Sequence, residues 1–170
     1  MVKREVKNEK SKGFTLIEMI LVLAVLVTFL ALVFTIYKNR VEPSRWANNK
    51  FQTFQSVIAA IENARSANGG AYPASSSPFD LDSSDAPTND KQKLVWYAVT
   101  GGSPTSDLAG WKYACDSGNL DITVGVSDKP AAGDAAITVF TESVKNNLGF
   151  TVSGSNNSTV TFRRAGVICN

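Results

Sequence analysis

Lys12–Met19 reads KGFTLIEM, and it leads into the longest apolar stretch of this 170-residue chain. That stretch runs from Phe14 to Tyr37 without a proline, a glycine or any charged residue except Glu18. As an α-helix it would be about 36 Å long, which is enough to cross a hydrocarbon core of ~30 Å. The sequence therefore predicts a membrane-spanning helix with one carboxylate near its beginning.

Glu18 is the unusual residue of this helix, because placing a carboxylate near lipid costs roughly 2.5–3.5 kcal/mol. Such a residue usually has a partner, although a glutamate at the membrane interface can also reach water or become protonated. A secretory signal peptide would need a shorter apolar region and a cleavage site with small residues, whereas Tyr37 is followed by Lys38, Asn39 and Arg40. A single-pass membrane anchor is the remaining alternative at this point.

The basic residues are concentrated before this helix. Residues 1–13 have a net charge of +3 and the rest of the chain has −1, so the overall charge of +2 does not indicate a nucleic-acid partner. Histidine is absent from the sequence, which removes the commonest general base and metal ligand and any Ser-His or Cys-His nucleophile pair. Nothing in the sequence supports catalysis, so we predict a protein that is not an enzyme and needs no cofactor.

Residues 38–67 are predicted to continue the helix as an amphipathic half that buries one face against the protein's own domain. Four large apolar residues repeat at helical spacing: Phe51, Phe54, Ile58 and Ile61. Pro43 lacks a backbone donor, so a bend is expected between Asn39 and Pro43. The Asn-Gly-Gly at 68–70 predicts the end of the helix, with Gly69 in the left-handed conformation.

The rest of the chain is predicted to contain a loop, several strands and one helix. Residues 68–93 are rich in proline, serine and aspartate, which is typical of a surface loop. Asp134–Asn147 has apolar residues at helical spacing and is predicted as a helix, although its Ile-Thr-Val-Phe could also form a strand. Segments rich in β-formers, separated by turn residues, predict strands at Leu94–Val99, Trp111–Cys115, Leu120–Val126, Phe150–Val152 and Thr159–Arg163.

Two polar groups are weaker candidates for binding sites. Oxygen-rich loops can bind Ca²⁺, which makes Asp80, Asp82 and Asp85 a weak metal-site candidate, but a solvated acidic loop is the simpler interpretation. Arg163 and Arg164 could contribute to a nucleic-acid surface. Because adjacent residues of a strand point to opposite faces, we do not expect nucleic acid to be a partner.

Gly13, Phe14 and Glu18, followed by a long apolar helix, make this segment resemble the type IV prepilin signature. The resemblance implies that a prepilin peptidase cuts after Gly13 on the cytoplasmic side, releases the leader at 1–13 and methylates the new amino group of Phe14. Because glycine has no side chain, the scissile bond can enter a protease site that excludes bulk. An assembly platform in the bacterial inner membrane would then extract the mature chain into a helical filament.

The resemblance also suggests a partner for Glu18. Once the leader is removed, the α-amino group of Phe14 is largely protonated at neutral pH. In a filament that amine can pair with Glu18 of a neighbouring subunit, and in a low dielectric an unpaired charge is costly. Glu18 would then set the register of assembly, because only the correct axial stagger neutralises both charges.

The fold that the resemblance implies is the α+β pilin fold. A long N-terminal α-helix, with a transmembrane half at 14–37 and an amphipathic half at 38–67, would pack on an antiparallel β-sheet head domain at 68–170. Two cysteines of pilins commonly form a disulfide, and Cys115 and Cys169 would close the C-terminal region between them. Two free thiols are the alternative, and metal binding by two cysteines without histidine is a weaker one.

By this resemblance the protein would be a structural subunit of a type IV pilus, and we expect it to be the major pilin. Its partners would be other copies of itself, prepilin peptidase, the inner-membrane assembly platform, minor pilins and, before assembly, membrane lipid. The precursor would reside in the inner membrane and the mature chain in an extracellular filament. A pseudopilin or minor pilin of a type II secretion, DNA-uptake or conjugative system is the first alternative, and a membrane-tethered module that never polymerises is the second. The subclass, IVa or IVb, stays open.

Overall fold

The computed structural model describes residues 14–131 and 133–170. The chain divides into two compact units, of which the first ends at Tyr37 and the second runs from Lys38 to Asn170. The predicted leader at 1–13, with Gly13, lies outside the described residues. The described part of the first unit is mainly one helix, and the second unit contains the sheet.

Helix α1 comprises Leu16–Ile36 and contains no buried residue. Large apolar side chains are exposed along its whole length, from Leu16 (79 % exposed) through Phe29 (64 %) to Ile36 (51 %). Its length and composition would allow it to cross a membrane. A helix that is apolar on all sides needs a lipid or protein environment, so α1 has the properties predicted for residues 14–37.

A π-helical turn, Tyr37–Val41, separates α1 from helix α2, which comprises Glu42–Ala67. Pro43 lies in the first turn of α2. The proline ring clashes with a carbonyl one turn earlier and supplies no N–H donor, and a π-helical turn is wider than a regular α-helical one. A wider turn therefore lies directly before Pro43, in the region where a bend was predicted, and the bend itself stays a prediction.

Helix α2 is followed by five antiparallel strands in the order β1-β2-β3-β5-β4. Strand β5 therefore lies between β3 and β4, and the two edges of the sheet are β1 and β4. The strands are β1 (Ser75–Asp80), β2 (Lys112–Asp116), β3 (Asn119–Gly125), β4 (Thr151–Ser155) and β5 (Thr159–Ala165). The further helices are α3 (Asp90–Thr100), a 3-10 turn (Ser106–Leu108) and α4 (Gly133–Leu148).

Most of the predicted elements of this second unit are confirmed. Four of the five predicted strands coincide with β2, β3, β4 and β5, and the helix predicted at Asp134–Asn147 is α4. Helix α2 ends at Ala67, and Gly69 has the left-handed conformation expected of it, with φ 71°. Phe54, which was expected on the buried face of the helix, is fully buried.

The strand predicted at Leu94–Val99 is wrong, because this segment lies inside α3. The Asn89 side chain accepts hydrogen bonds from two backbone N–H groups of the first turn (2.9 and 3.4 Å), and Gly101 closes the helix in the left-handed conformation with φ 63°. Val95 and Trp96 are buried on one side of the helix, which packs against α2. Two caps and this burial outweigh the weak preference of the segment for strand.

The loop predicted at 68–93 is only partly a loop, because it contains β1 and the start of α3. Ser75 is buried and pairs with Cys115, and Phe79 pairs with Tyr113. A proline is compatible with an edge strand, where a missing N–H donor need not break the sheet. The run of serines with Pro78 therefore forms an edge strand instead of a surface excursion.

The core of the second unit is built around Phe54 of α2. Its ring centroid lies 5.0 Å from that of Phe162, 5.5 Å from Phe150, 6.1 Å from Trp111 and 6.2 Å from Phe140. These residues come from α2, α4 and the sheet region, and all of them are buried. The molecule thus has the α+β architecture predicted for the pilin fold, with a long N-terminal helix and an antiparallel sheet.

Candidate processing and assembly site

Thr15 and Glu18 form a reciprocal cap at the beginning of α1. The Glu18 backbone N–H donates to Thr15 Oγ1 (3.3 Å). In return, the Thr15 backbone N–H and the Thr15 hydroxyl both donate to Glu18 Oε2 (2.7 and 2.9 Å). This is a capping box, in which two donors at the helix start are satisfied by two neighbouring side chains.

The cap gives Glu18 hydrogen-bond partners inside its own chain. A carboxylate in the first turn also interacts favourably with the positive end of the helix dipole. Thr15 is a partner that was not predicted, since only the Phe14 amine of a neighbouring subunit was expected to pair with Glu18. The signal was present, because Thr-x-x-Glu before an apolar run is the sequence pattern of a capping box.

Phe14 lies directly before this cap and is 80 % exposed. Gly13, the other side of the proposed cleavage site, is outside the described residues, so cleavage after Gly13 and methylation of Phe14 stay predictions. Thr15 has an extended backbone (φ −76°, ψ 153°), and the helix begins only at Leu16. Within the described residues, the chain is therefore non-helical where the mature N-terminus is predicted and helical from the third mature residue.

Residues 9–34 match the family model of the prokaryotic N-terminal methylation motif. The chain carries the type IV prepilin signature. The matched residues contain the predicted cleavage site, the Thr15–Glu18 cap and most of α1, so the signature and the exposed apolar helix coincide. Neither the curated proteins nor the solved structures contain a match to the chain.

Cys115 and Cys169 form the disulfide that the prepilin resemblance implied, with their Cα atoms 5.7 Å apart. Cys115 is fully buried on β2. Cys169 pairs with Tyr72 in an isolated parallel bridge, and the backbone N–H of Tyr72 donates to the Ile168 carbonyl (2.8 Å). The disulfide and this bridge fasten the last residues to β2 and to the segment after α2, and they replace the alternatives of free thiols and a metal site.

A polar cluster that the sequence did not reveal surrounds Glu62 of α2. Its carboxylate accepts hydrogen bonds from the Tyr72 hydroxyl, from Arg65 (3.0 Å) and from Arg164 (3.2 Å). Partial burial raises the pKa of the Glu62 carboxyl, but the Tyr72 hydrogen bond and the two guanidinium groups outweigh burial, so the pKa lies below its ordinary value. The cluster joins α2 to β5 and to the chain segment after α2.

Arg163 and Arg164 lie on opposite faces of β5, as expected, and each has partners within the protein. Arg163 makes two hydrogen bonds to Asp121 (2.8 and 2.7 Å), and these hydrogen bonds and the nearby carboxylate raise its pKa. Arg164 pairs with Glu62, donates to the Leu148 carbonyl (2.9 Å) and covers the ring of Phe150 at 4.3 Å. The two arginines therefore act as cross-links and do not form one basic surface.

The three carboxylates of the weak metal-site candidate do not form a group that could hold an ion, because each has other contacts. Asp80 pairs with Lys112 (2.8 Å), and Asp82 accepts from the Gly110 N–H (2.8 Å). Asp85 takes part in a local turn through its backbone. Within the described residues, no group of three or more His, Cys, Asp or Glu side chains could hold a metal ion.

Proposed function

We propose that this protein is a structural subunit of a type IV pilus, cut after Gly13 and polymerised through α1. One observation carries the proposal: the N-terminal methylation motif at 9–34 lies on a helix that is apolar on every side and has no buried residue. In the proposed function such a helix would be shielded from water in two successive environments. Lipid surrounds it in the membrane, and equivalent helices surround it in the filament core.

Moving α1 from lipid to the filament core hardly changes the apolar surface that it shields from water, because lipid tails and apolar side chains both exclude water. Glu18 supplies the specificity that apolar contact lacks. In the isolated chain its carboxylate is bonded to Thr15, and in the filament it would also face the protonated amine of Phe14 from a neighbour. The added ion pair favours one axial stagger, since every other stagger leaves charges unpaired in a low dielectric.

The second unit has the properties of the exposed head of such a subunit. It has its own buried core and a disulfide, which suits an oxidising compartment outside the inner membrane. Its partners would be other copies, the prepilin peptidase, the assembly platform and minor pilins. The role of major pilin is supported by the disulfide-closed C-terminal region. The same signature would also serve a pseudopilin or minor pilin of a shorter filament, which is the second candidate.

The experiment is mass analysis of material sheared from cells that express the protein. We expect an abundant chain that begins at methylated Phe14 and is two hydrogens lighter than the fully reduced form, because Cys115 and Cys169 are joined. A processed chain confined to the membrane would favour the pseudopilin or minor pilin. A chain that still begins at Met1 and stays in the membrane would refute processing and leave a tethered module.

A further inference from the structure

Three basic residues lie shortly after the apolar helix, and we call them the basic collar: Lys38, Arg40 and Arg45. Glu42 is the one acidic residue between Lys38 and Trp46, so this short segment has a net positive charge. The collar lies after α1, on the opposite side of the proposed membrane from the basic leader. Basic residues normally accumulate on the cytoplasmic side of a membrane-spanning helix. The collar would lie on the other side, so this rule does not explain its positive charge.

The described structure places the collar outside the core of the second unit. Every residue of the turn Tyr37–Val41 is exposed, and Arg45 is exposed on the first turns of α2. Pro43 and Ala47, which flank it on the same helix, are buried instead. All three basic side chains of this segment are therefore exposed, whereas the residues that it buries here, Pro43 and Ala47, are apolar.

We propose that the basic collar binds the phosphodiester headgroups of anionic phospholipids at the outer surface of the membrane that α1 spans. The proposal rests on the proposed insertion of α1. Chain connectivity places Lys38 directly after the last apolar turn. From Lys38 to Arg45 a helix rises about 10 Å, and one headgroup layer is roughly 5–8 Å thick, so the collar covers that depth.

The chemistry of the collar suits a lipid phosphate. A guanidinium, such as that of Arg40, can donate two parallel hydrogen bonds to two oxygens of one phosphate. Lys38 adds a compact charge, and basic residues next to a membrane-spanning helix are attracted to anionic leaflets. Tyr37, which is 43 % exposed, has the amphipathic ring that is enriched at membrane–water interfaces. Lipid surrounds every subunit before assembly, which favours this occupant over an acidic surface of a second copy.

The test uses the full mature chain in vesicles of phosphatidylcholine and phosphatidylglycerol, with a spin-labelled trace of either lipid. Electron paramagnetic resonance measures which labelled lipid is immobilised at the protein. We expect the native chain to prefer phosphatidylglycerol by about fivefold, the factor that corresponds to ~1 kcal/mol for one lipid-facing charge. High salt should remove the preference, because salt screens exposed charges, and millimolar inorganic phosphate should not.

The decisive variant combines Lys38→Gln, Arg40→Gln and Arg45→Gln, and it should lose the preference. A matched control removes the same number of charges from the second unit, at the exposed Lys91 and Lys145 and the half-buried Lys93, through Lys91→Gln, Lys93→Gln and Lys145→Gln, and it should keep the preference.

Two outcomes would overturn the basic collar as a lipid site: a native chain without lipid preference, and a preference that survives in the collar variant. If that variant keeps its lipid preference but loses contact between copies, the collar binds a second copy instead. An alkaline wash of the vesicles distinguishes failure of the collar from failure of the proposed function. Protein that the wash removes is not inserted, which refutes the insertion of α1, whereas inserted protein without lipid preference refutes the collar alone.

Discussion

At the scale of single residues, Glu18 has two interactions that can be separated. It caps α1 together with Thr15, and it would neutralise the amine of Phe14 from a neighbour. The cap depends on a hydrogen-bond acceptor at Glu18, whereas the pairing depends on its charge. Glutamine can fill the same place in a capping box but has no charge.

Replacing Glu18 therefore separates the two interactions. We expect both Glu18→Gln and Glu18→Ala to be cleaved and inserted normally, and both to yield at least about tenfold fewer filaments, a factor that corresponds to ~1.4 kcal/mol per subunit added. Quantitative blotting of sheared and membrane fractions measures the ratio. Wild-type filament yield from Glu18→Gln would show that the cap, and not the charge, is what assembly needs.

Glu62 is the residue whose environment predicts a pH dependence. Its pKa is lowered in the folded protein from an ordinary value of 4.5, so the ionised form stabilises the fold. That contribution is complete above the unfolded pKa and is lost as the pH falls through the lower folded value. We expect Glu62→Gln to be less stable than the native chain at pH 7, and the difference to shrink below about pH 4.5.

Thermal unfolding of both chains in detergent, followed by near-ultraviolet circular dichroism, measures this difference. Glu142→Gln is the control, because Glu142 is exposed and its distance to Lys145 is 4.0 Å, and such surface pairs contribute little. A constant difference between Glu62→Gln and the native chain from pH 7 to pH 3 would contradict the assignment of the pKa shift to folding.

At the scale of elements, local pattern and tertiary context disagree in α3. Leu94–Val99 and the Ile-Thr-Val-Phe of α4 are both rich in β-formers, and both are helical. For α4 the helical spacing of apolar residues was enough to predict the helix. For α3 the decisive residues are the caps Asn89 and Gly101, and asparagine and glycine are equally typical of turns, so the local pattern does not identify them as caps.

Gly125 illustrates a constraint between elements that no local pattern contains. It ends β3, and the loop after the 3-10 turn lies against it so closely that the Ala109 carbonyl occupies the space of a Cβ atom. Gly110, with φ 72°, approaches the same position, and its backbone N–H donates a hydrogen bond to the Asp82 carboxylate (2.8 Å). The loop and the strand can pack in this way only if residue 125 has no side chain.

Gly125→Ala should therefore lower the free energy of unfolding by roughly 1–3 kcal/mol, as overpacked sites do. Gly154→Ala is a matched control in β4, where the nearest atom to a new methyl group is Thr161 Cβ at 4.0 Å. It should change stability by less than about 0.5 kcal/mol. Urea unfolding of the two variants in the same detergent gives the comparison, and equal stabilities would contradict the close packing at Gly125.

At the scale of the whole molecule, the two units differ in how much of their structure could be predicted from the sequence. The N-terminal motif and α1 could be predicted because their pattern is local: Gly13, Phe14, Glu18 and an unbroken apolar run. The order of the sheet could not, since β5 pairs with β3 across the whole of α4 and β4. The Glu62 cluster was also missed, because Glu62 and Arg164 are far apart in the sequence and meet only in the folded chain.

The disulfide contributes to the stability of the second unit as a whole. Cys115 and Cys169 close a loop of 54 residues, for which chain entropy predicts a stabilisation of about 4 kcal/mol. Replacing both cysteines by serine should lower the free energy of unfolding by ~2–4 kcal/mol, measured by urea unfolding in detergent. A reducing agent should destabilise the native chain to a similar extent and leave the double variant unchanged. Destabilisation of the double variant by the reducing agent would show that the agent acts elsewhere.

The edge strand β4 exposes all five of its residues, and the turn that follows it, residues 156–158, is exposed as well. Asn156 holds this turn in shape by accepting from the backbone N–H groups of Ser158 and Thr159 (2.8 and 2.7 Å). An antibody against residues 153–158 should therefore bind the native fold without opening the core. For the same reason, a small label attached to the side chain of residue 157 should mark the folded protein while the aromatic cluster around Phe54 stays intact.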